Sequence, residues 1–379
     1  MTLATIESDL LARADRLTTD LENYCVTGPF GNGAAISATA ATYYRGLGRV
    51  IADALAIEPA ALAAQPAPQL ESLRRAALDA ALTELLRGEV DAAVDSVRRH
   101  AQVGDTAVPD ALAIDAAAWS AGAGCEFAHA WAGDPVAETL VRRFGETMSG
   151  RPEGSDIRIA APSDGQRTGR AAAVAFLRRA VPVLSADVLA CAPILGLFDG
   201  DLASAFATAA PLVVFVNSTL FDDRFLAAEL LQHEALHQKL NDISLARALF
   251  RPDYVDADSA TASVPWAMPG VALPRYFSAD RCFAAYHVYS HQAVLYLGAL
   301  ARCTGTPELP AAVDRLVLSY ARAAFFTEAL QDPRIRAEWG ADGARLAAWL
   351  DGIVAPLGEF VLPDGSRLRH HAGAHAARA

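Results

Sequence analysis

The chain has 379 residues, 53% of them apolar and 20% charged, a composition that excludes an intrinsically disordered polypeptide and supplies a sizeable core. Lys and Arg number 32 against 44 Asp and Glu, a formal net charge of −12. Such a surface repels phosphate backbones and anionic lipid, so neither nucleic acid nor a membrane is an expected partner.

Five widely spaced cysteines (Cys25, Cys125, Cys191, Cys282, Cys303) form no C-x-x-C pair, and they read as thiols in a reducing compartment. Met1 to Asp20 carries Glu7 and Asp9, with no basic region followed by an apolar run, so no signal peptide is expected. No uncharged apolar run reaches 18 residues, so no membrane span is expected and a cytoplasmic location follows.

Three regions are expected: an N-terminal helical region (1–150), a catalytic metal-binding domain (151–360) and a loosely ordered tail (361–379). Helix is predicted from Thr5 to Ala56 with a break at Gly28–Gly33, from Leu70 to Arg99, and over Ala111–Ser149. Trp119 and Trp131 read as core, and Ser149 to Asp156 reads as a linker. Gly169–Ala186 is predicted helical, and Pro193–Leu197 is a short apolar run. Leu212–Val216, β-branched and bounded by Pro211 and Asn217, is the clearest strand. A long helix follows over Phe221–Phe250, with Asp222 and Asp223 placed to cap it. The proline-rich stretch 251–280 reads as a long loop and a candidate lid. Helices are predicted at 281–300, 311–329 and 334–354. The fold class is mainly α with a small β-sheet (α+β), in which a strand precedes a long H-E-x-x-H helix.

That helix carries the chemistry. In Gln232-His233-Glu234-Ala235-Leu236-His237, the two histidines stand at i and i+4 and present both imidazoles to one point. Glu229 lies one turn earlier, and Glu234 projects from the adjacent face toward a metal-bound water. The bland alternative is a hydrogen-bonded histidine pair on a core-facing helix. Leu240 and Ile243 stand where the extended H-E-x-x-H-x-x-G-x-x-H pattern needs Gly and His, which excludes that protease subclass. Downstream, His287 and His291 are again four apart. His287 is the expected third metal ligand, with His291 as its substitute or supporting partner.

Such a ligand set suits two chemistries. Zinc would leave Glu234 as the base for hydrolysis of a peptide. Fe(II) with an α-keto acid and O₂ would give oxygenase chemistry, with a cation for the far carboxylate of the cosubstrate. Arg275 and Arg281 are the candidates for that cation.

Residues 182–300 resemble the α-ketoglutarate-dependent HExxH-type peptide β-hydroxylases found beside ribosomally made, modified peptides. The resemblance is carried by Leu231-Gln232-His233-Glu234-Ala235-Leu236-His237-Gln238-Lys239-Leu240-Asn241, then by Pro265-Trp266, Pro274-Arg275, Arg281, and His287 with Tyr289. It implies Fe(II), with α-ketoglutarate and O₂ as cosubstrates. It further implies hydroxylation of a C–H carbon in a peptide or amino-acid-derived substrate, in natural-product biosynthesis. It carries the ligand role to His233, His237 and His287. Oligomeric state stays open.

Overall fold

The structure, a computed structural model, describes residues 3–58, 62–63, 68–104, 128–130, 135–148, 158–159, 163–266, 274–303 and 308–376. It is mostly helical with a small sheet, the fold class the sequence predicts. Helices α1 (Leu3–Thr27) and α2 (Gly33–Leu55) flank the predicted break. The single helix expected over 70–99 is two, α3 (Pro68–Arg87) and α4 (Val90–Gly104). Gly88, at φ +80, ends the first. Its N–H bonds to the Leu85 carbonyl and that of Glu89 to the Glu84 carbonyl, a glycine-terminated helix end.

Strand β1 (Ala128–Ala130), helix α5 (Pro135–Met148) and strand β2 (Arg158–Ile159) follow. The helix expected over 169–186 divides at Pro182, which lacks an N–H, into α6 (Asp164–Ala180) and α7 (Pro182–Leu189). The apolar run at 193 belongs to strand β3 (Ile194–Asp199). After the short β4 (Ser204–Ala205) comes β5 (Val213–Asn217), the strand predicted at 212–216. A 3-10 turn, Ser218–Asp222, leads into α8 (Arg224–Ala246), the predicted motif helix.

The 251–280 stretch is not structureless. It holds the antiparallel pair β6 (Thr261–Val264) and β7 (Arg275–Ser278), whose first strand alternates exposed and buried side chains. Helices α9 (Ala279–Arg302), α10 (Leu309–Ala329), α11 (Pro333–Arg336) and α12 (Gly343–Ala376) complete the chain. The last runs through the expected loose tail despite Pro356 and Pro363. Leu346, Leu350, Ile353, Leu357, Phe360 and Val361 keep one face buried past the first proline. Gly343–Pro363 is long and apolar enough to cross a bilayer, but 56% of its most apolar window is buried, as in a core helix. The predicted linker at 149–156, and Cys125, Trp119 and Trp131, lie outside the described residues. The other four cysteines are buried and form no disulfide.

Backbone contacts group the chain into two units, neither continuous in sequence and neither bounded at residue 150. A helical unit comprises Met1–Gly33, Ala175–Asp187 and Ile243–Ala379, and a sheet unit comprises Ala34–Val174 and Val188–Asp242. In the sheet unit the strand order is β1-β3-β5-β4, with β2 on β3. The β1–β3 and β3–β5 pairs are parallel, and β4 and β2 run antiparallel to their neighbours. All of β5 and the first five residues of β3 are buried, which explains their unbroken apolar sequences. Leu70 and Leu73 of α3 and Leu140, Phe144 and Met148 of α5 share a core with Ile194, Phe198, Val213 and Phe215. Phe144 stacks on Phe215 at 3.8 Å between centroids, and a Cβ at Gly196 would come within 2.5 Å of the Phe215 ring.

Candidate metal centre

The motif helix is fixed at both its start and its back. The Asp223 carboxylate accepts the N–H groups of Phe225 (2.9 Å) and Leu226 (3.0 Å), capping the first turn of α8. Farther along, the Gln238 side-chain carbonyl accepts the Leu212 N–H at 2.6 Å, where the chain enters β5 with a left-handed φ of +66. The Gln238 amide donates to Asp242 at 2.8 Å. Asp242 in turn faces the Arg75 guanidinium at 3.6 Å and accepts from the Ser37 hydroxyl at 3.4 Å. Glu71 of α3 holds Arg75 at 3.0 Å. A buried polar chain therefore ties the helix to α2, α3 and the head of β5.

With that face locked, His233 and His237 occupy the half-buried face. Their Nε2 atoms are 3.2 Å apart, with ring centroids 4.9 Å apart. Glu234 is buried, and its Oε1 lies 3.9 Å from His233 Nε2. Among the described residues these three are the group of His, Cys, Asp or Glu side chains able to share a metal ion, with ligand atoms all within 4.8 Å. A divalent ion bound at about 2.0–2.1 Å from each imidazole nitrogen spans the observed gap, so the donor set fits a transition metal.

The edge strand completes the site. Ser204 donates to Glu234 Oε1 at 2.6 Å, and the Phe206 backbone N–H bonds to the same carboxyl. The Phe206 ring lies nearly parallel to His237, 6.3 Å between centroids. Burial lowers the His237 pKa to about 4, and burial with the neighbouring His237 charge lowers that of His233 to about 3. Both rings are neutral at pH 7 and offer lone pairs to a metal. Burial raises Glu234 to about 7, against the hydrogen bonds from Ser204 and Phe206. Ser204 and Phe206 carry no signal in the sequence, since only the sheet brings a segment 30 residues upstream against the motif.

His287, His291, Arg275 and Arg281 belong to the helical unit. His287 is buried on α9, 4.4 Å from the His291 ring and 6.2 Å from Trp349. His291 Nδ1 donates to the His287 carbonyl at 2.7 Å, which leaves the His291 lone pair on Nε2. The third atom in the metal-capable cluster comes from Glu234, and His287 is not a member. Glu229 is buried one turn before His233 and is also outside the cluster. Arg275 and Arg281 both lie over the Phe277 ring, their guanidinium carbons 5.0 and 5.6 Å from its centroid. Neither a family model nor a curated protein matches the chain.

Proposed function

We propose that the chain is a mononuclear metalloenzyme, an Fe(II)- and α-ketoglutarate-dependent dioxygenase. Its reaction is hydroxylation of a C–H carbon, the β-carbon by expectation, in a peptide or amino-acid-derived substrate. The observation that carries the metal reading is the convergence of two neutral imidazole nitrogens, 3.2 Å apart, on the half-exposed face of a rigidly held helix. His233 and His237 would hold the iron, which when bound supplies O₂ activation in concert with the α-keto acid. The choice of iron rests on the family resemblance of residues 231–241. It is supported by Glu234, whose carboxyl is already engaged by Ser204 and by the Phe206 N–H and so serves as a tether between helix and edge strand.

A second reading, a zinc-dependent peptidase, is favoured by one observation: a pKa near 7 beside the histidine pair is the value a general base needs. Glu234→Gln separates the two, because glutamine keeps an acceptor for Ser204 and for Phe206 but takes no proton. The dioxygenase converts α-ketoglutarate to succinate under O₂, regains this activity with Fe(II) but not zinc after chelation, and retains most of it in Glu234→Gln. A hydrolase works anaerobically with zinc and loses at least about 100-fold in Glu234→Gln. O₂-independent peptide cleavage with no succinate formed would overturn the dioxygenase reading.

A further inference from the structure

Among the described residues of the helical unit, Arg322 has no carboxylate opposite it. Arg322 of α10 lies against two aromatic side chains that are themselves in contact, its guanidinium carbon 5.3 Å from the Trp266 ring centroid and 5.1 Å from that of Tyr289. Phe325 and Phe326 flank Trp266 edge-to-face, at 5.3 and 5.7 Å. Arg302, in the same unit, is by contrast paired with Asp15 and Glu22. Arg322 instead donates from Nη1 to the Tyr289 hydroxyl, at 3.4 Å. Its Nε–H and the Trp266 indole N–H are both shielded from solvent and have no hydrogen-bond partner among the described residues.

A buried donor without an acceptor is costly, and a donor on a charged guanidinium more so. The ring faces stabilise the positive charge but offer no acceptor in the plane of the fork. Tyr289, having accepted from Arg322, still has its own proton to give. The box thus presents three donors and one positive charge and, among the described residues, lacks an anionic acceptor. Trp266, Tyr289, Arg322 and Phe325 are each partly exposed, so its rim meets solvent.

The geometry points to a binding site for a small organic carboxylate, with Arg322 and the Trp266 indole N–H as its donors. A planar carboxylate matches the guanidinium fork, and aromatic walls favour an acid with an apolar carbon chain over an inorganic oxyanion. This inference goes beyond the proposed reaction and stands whether or not the metal centre is iron.

The test is a titration of the full-length protein with succinate, followed by the ¹⁵N-indole NMR signals of its five tryptophans. The Trp266 signal, assigned by its loss in Trp266→Phe, should shift saturably, while neutral succinamide and inorganic phosphate leave it in place. Arg322→Lys keeps the charge but loses the fork, and should weaken succinate about tenfold or more. Trp266→Phe removes only the N–H from an aromatic wall, and should weaken succinate binding measured by calorimetry. The Trp339 and Trp349 signals report whether each variant is folded. A Trp266 signal that does not respond to succinate, or responds equally to phosphate or succinamide, would overturn the site. So would unchanged succinate affinity in whichever of the two variants folds.

Discussion

Two imidazoles kept neutral by burial make an unusual proton competition. Ordinary histidines titrate near 6.5 and would shed a metal on mild acidification. His233 and His237 are depressed to about 3 and 4, so they stay unprotonated well below that. In a Glu234→Gln background, which removes a carboxyl titrating beside them, metal affinity should be flat from pH 8 to about 5. A decline of two protons per metal beginning at pH 6.5 in a competition titration would contradict this. Stability of the metal-free protein carries the same signs. The histidine contribution is complete above pH 6.5 and is lost as pH falls toward 4. The Glu234 contribution is complete below 4.5 and is lost as pH rises to about 7. Glu234→Gln should therefore make the metal-free protein relatively more stable above pH 7 than below 5, read from denaturation midpoints. The histidine pair was legible because helical spacing is encoded locally. The partners that hold the Glu234 carboxyl were not, because hydrogen bonds across the edge strand leave no local pattern.

Elements hold these residues in place through a few specific contacts. Gln238 joins the motif helix to the head of β5, so Gln238→Leu strands the Leu212 N–H and should cost about 1–3 kcal/mol in chemical denaturation. Gly196→Ala should cost about 1–3 kcal/mol by pressing a methyl into the Phe215 ring, which is itself pinned by Phe144. If either variant unfolds at the parent's midpoint, the corresponding contact does not hold the sheet unit. Strand β5 and the motif helix were legible from a β-branched run and a capped helical pattern. Strand β3 was hidden because a proline precedes it and a glycine interrupts it. The β6–β7 pair was hidden among prolines, with only four residues per strand. Helix boundaries at Gly88 and Pro182 were present in the sequence but masked by alanine, which suits either face of a helix and blurs its period.

For the whole molecule, each of the two units draws on segments distant in sequence. The sheet unit needs α3 and α5 from the first 150 residues to cover β3 and β5. A fragment of residues 151–379 should therefore fail to fold as an autonomous domain, seen as collapsed NMR dispersion. A well-dispersed spectrum would show that residues 34–148 are dispensable to the core. Net charge was legible from composition and the helical fold class from local apolar spacing, whereas the interleaving of distant segments was not. The proposed chemistry requires one bound ion per chain. Anaerobic titration of the chelator-treated protein with Fe(II), quantified by elemental analysis after desalting, should give one iron per chain. His233→Ala and His237→Ala, each with an unchanged circular dichroism spectrum, should retain essentially none. Full retention of iron in both folded variants would contradict the account.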